Sequence, residues 1–424
     1  MGVRSAKGPY NSLPTGWSRA LADPLDLIIR NARLRRGPDT LVDIAIASGR
    51  IQSIEPRAGR GRQEVDAGGN LVTESFVNPH LHLDKVYTLS RLDDRALREY
   101  QTGTMGAAMT AIELASRVKE GYDASWLVPN IRRAVAEAAR HGCTHIRAFA
   151  DVDTKARLEG VKALLQVREE WRDIVEIQVV AFPQDGIVRE PGAEQLVRQA
   201  LELGADVVGG IPWIEFTEAD ARRHVQAMFA LAQEFDRDVS MLVDDAGDPG
   251  LRTLEMLAVA AVESGWQGRA LAHHARAMAL YPEPYFRKVL ALLKAAAMGV
   301  VSDPHTGPLH ARVRDLLEGG ALVCLGQDDI SDAYYPYGRN NMLEVAFLAS
   351  HLLWMTSTED RERLYDMITI DAARAIGLKE FGLAVGRRAH LVVLRAPDLL
   401  EALREHAPPA CVVSHGKVLA GEGS

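Results

Sequence analysis

The sequence predicts an α/β chain: a (β/α)8 TIM-type barrel with a small β-sandwich domain formed by both chain ends. Three observations predict it. Eight short apolar, β-rich runs recur through the middle of the chain, near residues 71–77, 143–150, 174–182, 206–211, 239–244, 269–273, 299–302 and 321–326. Stretches of helical periodicity separate them, as expected of parallel strands joined by crossover helices. The two ends instead read as short strands punctuated by turns. Eight strands suit closure, and no GxGxxG follows any of them, which disfavours an open doubly wound sheet.

Residues 1–24, rich in Gly, Ser, Pro and Arg, read as an extension outside the fold. From Leu25 come DLIIRNARL and VDIAIASGRIQSIEP, with turns at Arg36–Asp39 and Ser48–Arg50. AHLVVLRAP and ACVVSHGKVLAGE repeat that character at the far end. Residues 25–70 and 385–424 are therefore expected to form the small domain, and 71–384 the barrel. In Ala219–Phe235, Val225, Met228, Phe229 and Ala232 follow the i, i+3, i+4, i+7 template of an amphipathic helix. Ala193–Leu203 does the same with Leu196, Val197, Ala200 and Leu201, and Gly204 stands where a C-terminal cap belongs. Asn130–His141 likewise stops at Gly142. The long interval 78–142 includes EYQTGTMGAAMTAIELASRV, which is helix-compatible and is expected over the barrel mouth.

The chain's 424 residues are enough for one large domain and a smaller one. With 47% hydrophobic and 25% charged residues, the balance is that of an ordinary globular protein. A net charge of −8 leaves no basic excess to neutralise phosphates, so neither a nucleic acid nor an anionic membrane is expected as partner. No run of 18 apolar residues and no secretory h-region occurs. Cys143, Cys324 and Cys411 are odd in number and form no CxxC, which points to free thiols and a cytoplasmic location.

In SFVNPHLHLDK (75–85), an apolar strand runs out into His80 and His82. Residues i and i+2 of a strand share a face, so the two imidazoles point the same way and could hold one divalent ion. Barrel chemistry sits at the C-terminal strand ends. There the sequence places Gln184, Asp244 and Asp245, His273 and His274, Asp303 and His305, and Asp328 and Asp329. Such a set supports metal-assisted hydrolysis, in which the ion lowers the pKa of water to about 7 and nearby acids handle protons. His273 and His274 are adjacent, so only one should face the barrel interior.

HLHLDK after a strand, with Asp328 after the last one, resembles the amidohydrolase superfamily. QVVAFPQDGI, LGADVVGGIPWIEFT, ALAHHARAM and LGQDDISDAYYPYGRNNML are similar to its cytosine deaminase group, near the N-alkylamino triazine hydrolases. The resemblance covers almost everything from residue 25 onward. It implies His80, His82 and Asp328 as metal ligands, with one divalent ion per chain, zinc or iron. It implies catalytic roles for Asp328, for His274 in orienting the attacking hydroxide, and for Asp245 in shuttling protons. It implies substrate contacts from Gln184, which would read an N–H/C=O edge, from Asp329 near the exocyclic amine, and from Tyr334 stacked on the ring. Two departures stand out: Leu242 occupies the position of a strand-five His ligand, and Asp245 that of the family's Glu. The implied function is metal-dependent hydrolysis or deamination at a C–N bond of a cyclic amidine, such as a cytosine-like pyrimidine or a triazine. The alternatives are an amide or carbamate hydrolase, or, because of Leu242, a metal-depleted heterocycle-binding member. The expected partners are a small nitrogen heterocycle and further copies of the chain in a homo-oligomer.

Overall fold

The computed structural model describes residues 25–37, 40–91, 98, 112–113 and 115–419. Its centre is a parallel barrel of β6 (Phe76–His82), β7 (Cys143–Asp151), β8 (Glu176–Phe182), β9 (Val207–Gly210), β10 (Asp238–Val243), β11 (Ala270–His274), β12 (Gly299–Ser302) and β13 (Val323–Leu325), each paired with the next. Closure falls between the last strand and the first. The His82 amide donates to the Asp328 carbonyl at 2.8 Å, and the Asp328 amide donates to the His80 carbonyl at 2.9 Å. The strands are buried along nearly their whole length. That is why they read as continuous apolar runs and not as alternating ones.

The second sheet combines β1 (Leu25–Leu34), β2 (Val42–Ala47), β3 (Arg50–Glu55), β4 (Gly61–Asp66) and β5 (Leu71–Glu74) with β14 (Leu391–Val393), β15 (Cys411–Ser414) and β16 (Lys417–Val418). Its own core gathers Leu27, Ile29, Ile44, Ile46, Val72, Leu391 and Val413 from both chain ends.

The single run expected over 71–77 is in fact two strands, so the small sheet extends past residue 70. Val72 pairs with Val393 in the small sheet, while Phe76 begins the barrel. The switch occurs between neighbouring amides: Ser75 N–H donates to the His390 carbonyl at 3.0 Å, and Phe76 N–H to the Gly142 carbonyl at 2.8 Å. Composition carries no sign of it, because both strands are equally apolar.

The helix expected over Ala193–Leu203 has those bounds, and Gly204 adopts φ 110° in the left-handed region a C-terminal cap requires. Glu218–Phe235 starts on Thr217, whose side chain accepts from Asp220 N–H. The helix expected from Asn130 begins earlier, at Ala124 behind the N-cap Asp123, and runs to Arg140. It carries Pro129 inside because its apolar face (Leu127, Val128, Ile131, Ala134 and Val135) is buried, which offsets one lost backbone bond. Residues 1–24 and 99–111 lie outside the described residues; 112–113 and 115–119 are helical. Among the described residues no helix is long and apolar enough to cross a membrane. The three cysteines are unpaired, Cys143 and Cys324 being buried.

Candidate active site

The C-terminal barrel face brings most of the strand-end residues together. His80 Nε2 lies 3.0 Å from Asp328 Oδ1, and His82 Nε2 and His274 Nε2 each lie 3.9 Å from the same oxygen. The His80 ring is T-shaped to both His82 and His274, with centroids 5.1 and 4.8 Å away. His80, His274, Asp303 and Asp328 offer ligand atoms all within 4.8 Å of one another, and so do His82, Asp328 and Asp329. This donor set fits a divalent cation: buried imidazole nitrogens converge on one carboxylate. Burial pushes His82 well below the ordinary imidazole range, so it is neutral and able to ligate. Asp328 is also buried, which alone would raise its pKa. His274, His80 and Arg276 more than offset this and hold it well below the carboxylate range.

Backbone turns aim these groups. His274, Ala275, Asp328 and Asp244 all have positive φ (68°, 49°, 68° and 47°), where non-glycine residues rarely sit. This corrects the expectation that His273 and His274 face opposite ways. His273 points into the barrel, 4.6 Å from the His80 ring and 5.0 Å from Phe149. The left-handed turn at His274 then breaks the strand alternation and returns the second imidazole to the same centre. His273 is fully buried and held neutral by that burial, and it fills the space beneath the cluster.

Sequence reasoning missed the role of Arg276. Its guanidinium is buried, with Nη1 2.9 Å from Asp245 Oδ1, Nη2 3.5 Å from Asp328 Oδ2, and Nη2 donating to Thr306 Oγ1 at 2.7 Å. A cation therefore bridges the two acids given catalytic roles. Only its place two residues beyond His274, inside ALAHHARAM, could have signalled this. Asp303, one of the strand-end acids, lies 3.1 Å from His274 Nδ1 and fixes that ring. His274 is raised to about 9: burial lowers it, and the carboxylates of Asp245 and Asp328 outweigh that. His305 and Gln327 brace the loop, His305 Nε2 lying 3.2 Å from the Gln327 carbonyl.

Facing the cluster is an open pocket lined by His82, Asp245, His274, Asp328 and Asp329 on one side and by Gln184, Trp213, Tyr334, Ile112, Ile211 and Leu242 on the other. Leu242 is buried and cannot ligate. Lys85 donates to Gln184 Oε1 at 2.6 Å and pairs with Asp151 at 3.0 Å, which leaves the Gln184 amide nitrogen free to serve a ligand as donor. Lys119 holds Asp153 at 2.5 Å and Asp185 at 3.0 Å behind it. The Trp213 indole Nε1 is buried without a hydrogen-bond partner, so it is a second donor at this wall.

The model of the amidohydrolase family described as Amidohydro_3 matches residues 63–420. The chain is 33% identical over 409 residues to the N-isopropylammelide isopropyl amidohydrolase of Pseudomonas sp. (strain ADP), covering 94% of this chain and 98% of that one. It superposes on 5-methylcytosine deaminase from Klebsiella pneumoniae liganded with 5-fluorocytosine with TM-score 0.85 and 34% identity, covering 93% of this chain and 97% of the other. It superposes on N-isopropylammelide isopropylaminohydrolase from Burkholderia multivorans with TM-score 0.83 and 28% identity, covering 93% and 98%.

Proposed function

The chain belongs to the amidohydrolase family, hydrolases of carbon–nitrogen bonds, and from that premise we propose that it removes an exocyclic amino or alkylamino group from a flat six-membered nitrogen heterocycle of the pyrimidine or triazine type. One observation carries this reading: the His–Asp cluster and the Gln184 amide line the same cavity, set for a ring with an amide-like edge. A divalent ion, zinc or iron, held by His80, His82 and Asp328 would supply Lewis acidity and water with a pKa lowered to about 7.

The remaining chemistry belongs to side chains. Asp303 fixes the His274 ring so that its Nε2 faces Asp328. Arg276 holds Asp245 and Asp328 side by side, and with His274 and His80 it keeps the Asp328 carboxylate ionised, ready to accept a proton. Asp329 stands opposite in character. Burial, then Asp328 and Asp332, push its carboxyl well above the usual range, so it carries a proton to offer a ring nitrogen or the departing amine. Gln184 and Trp213 present donors to the ring's polar edge, and Tyr334 covers its face. Leu242, Ile211 and Ile112 make one wall apolar, which favours an N-alkyl substituent over a bare amine.

The test is product release from matched pairs of substrates. Aminopyrimidines and hydroxy-N-alkylamino triazines are offered to zinc-loaded protein, and ammonia and alkylamine are measured. Alkylamine release exceeding ammonia release supports the reading in full. Hydrolysis of N-acyl or carbamate compounds, with neither amine product, overturns it in favour of an amide hydrolase.

A further inference from the structure

At the opposite, N-terminal end of the barrel, three histidines surround one carboxylate oxygen. His145 Nε2, from β7, lies 3.6 Å from Glu176 Oε1 at the start of β8. His390 Nε2, just ahead of β14, lies 3.8 Å from it, and His415 Nε2, in the turn joining β15 and β16, lies 3.5 Å away. His145, Glu176 and His390 offer ligand atoms all within 4.8 Å of one another. The rings stack edge to face, His390 standing 4.7 Å from His145 and 4.6 Å from His415 between centroids.

These separations are too long for hydrogen bonds, which fall at about 2.7–3.2 Å. They are close to the spacing of ligand atoms around tetrahedral zinc, about 3.3 Å for bonds near 2.0 Å. Two of the three nitrogens are also free. His390 Nε2 and His415 Nε2 are buried atoms with no hydrogen-bond partner, and His390 is only 4% exposed. The far side of two rings is anchored as metal-ligating histidines require. Thr144 Oγ1 lies 2.8 Å from His145 Nδ1 and 2.6 Å from Ser75 Oγ, and Ser414 Oγ lies 3.3 Å from His390 Nδ1. Those contacts fix which nitrogen faces the centre. A left-handed turn at His415, φ 50°, brings the third imidazole to within 3.5 Å of Glu176 Oε1.

We propose that His145, Glu176, His390 and His415 form a structural metal site for zinc or a similar borderline divalent ion, separate from the catalytic cluster. Its two barrel ligands and two small-domain ligands make it a staple between the sheets. His145, Glu176 and His390 form the tight group, and His415, 3.5 Å from Glu176, completes a four-ligand sphere that suits a structural and not a catalytic ion. Glu176 is half-exposed, which provides an entry path.

The experiment compares full-length wild type with His415→Asn and Glu176→Gln. Asn keeps the left-handed preference of the turn. Each protein is stripped with chelator, dialysed against micromolar zinc and counted for zinc per chain. The expected result is one zinc fewer per chain in each variant, whatever the catalytic cluster holds. Zinc should raise the wild-type melting temperature more than either variant's, while all three melt alike in chelator. Cobalt should give wild type a tetrahedral visible band that the variants lack. Equal zinc counts and equal thermal shifts across the three overturn the proposal. So does a variant that melts lower in chelator while binding zinc as wild type does, because the cluster is then only a packing element. If Glu176→Gln fails to fold, His415→Asn alone decides by the same readings.

Discussion

Asp328 serves two unrelated purposes with different atoms. Its backbone closes the barrel against His80 and His82, and its carboxylate gathers His80, His82, His274 and Arg276. Asp328→Asn should therefore leave the circular dichroism spectrum unchanged and lower kcat/KM by about 10³-fold or more. An unfolded variant would show the carboxylate to be structural. The histidines and acids of this site were legible because strand-end positions are few and chemistry concentrates there. Arg276 and the common orientation of His273 and His274 were not. Both follow from positive φ angles at the last residue of β11 and the next, and in LAHHARAM no glycine announces them. Leu242 sits one register step before the strand end, opposite His273, in a cluster with Phe149 and Phe182. Leu242→His should tighten zinc binding in competition with a chelator, at a cost of about 1–3 kcal/mol in stability for burying a polar ring among phenyl groups. Unchanged affinity in a protein that binds zinc would remove this position from the ligand set.

Secondary-structure elements need fixing to one another before their ends can aim anything. Glu215 does this for the substrate wall. Its carboxylate accepts from the amides of Ile187 at 2.7 Å, Arg189 at 3.0 Å and Val188 at 3.2 Å, in the loop just past Gln184. His224 Nδ1 lies 2.7 Å from it, and His224 Nε2 accepts from Ile211 N–H at 3.1 Å. One carboxylate and one imidazole thus join the loop after β8, the end of β9 and the helix Glu218–Phe235. Burial pushes Glu215 up, but His224 and the Ile187 amide hold it below the carboxylate range, so it stays ionised. Glu215→Ala strands those amides and the buried imidazole, and should cost about 3–5 kcal/mol in urea denaturation. It should also raise KM more than it lowers kcat, because Gln184 loses its support. An unchanged KM would mean that the loop holds Gln184 by itself. Within IEFT the glutamate was visible in sequence, but no periodicity indicates that a carboxylate ties three loop amides together.

Across the whole molecule, the question is whether barrel and small sheet unfold together. Val392 and Val412 of the small sheet lie in the same apolar cluster as the barrel's outer layer, and Gly142 sits at the seam. Its φ is +76°, and a Cβ added there would meet Val392 Cγ1 at 2.5 Å and Pro409 Cγ at 3.0 Å. Gly142 was legible as a helix stop, but its second task, clearing space for a strand some 250 residues later in sequence, follows only from the tertiary fold. Gly142→Ala combines left-handed strain of about 1–2 kcal/mol with overpacking of about 1–3 kcal/mol. Gly268→Ala is the control: its φ is +74°, yet nothing lies within 4 Å of the added carbon, so it pays the strain alone. Urea denaturation of both variants separates the two terms. The larger loss should appear in Gly142→Ala, as one transition at a lower midpoint with the slope unchanged, because the seam joins the sheets into a single cooperative unit. Equal losses in the two variants would show that the seam yields at little cost. A second transition confined to Gly142→Ala would show that the small sheet can detach while the barrel stays folded.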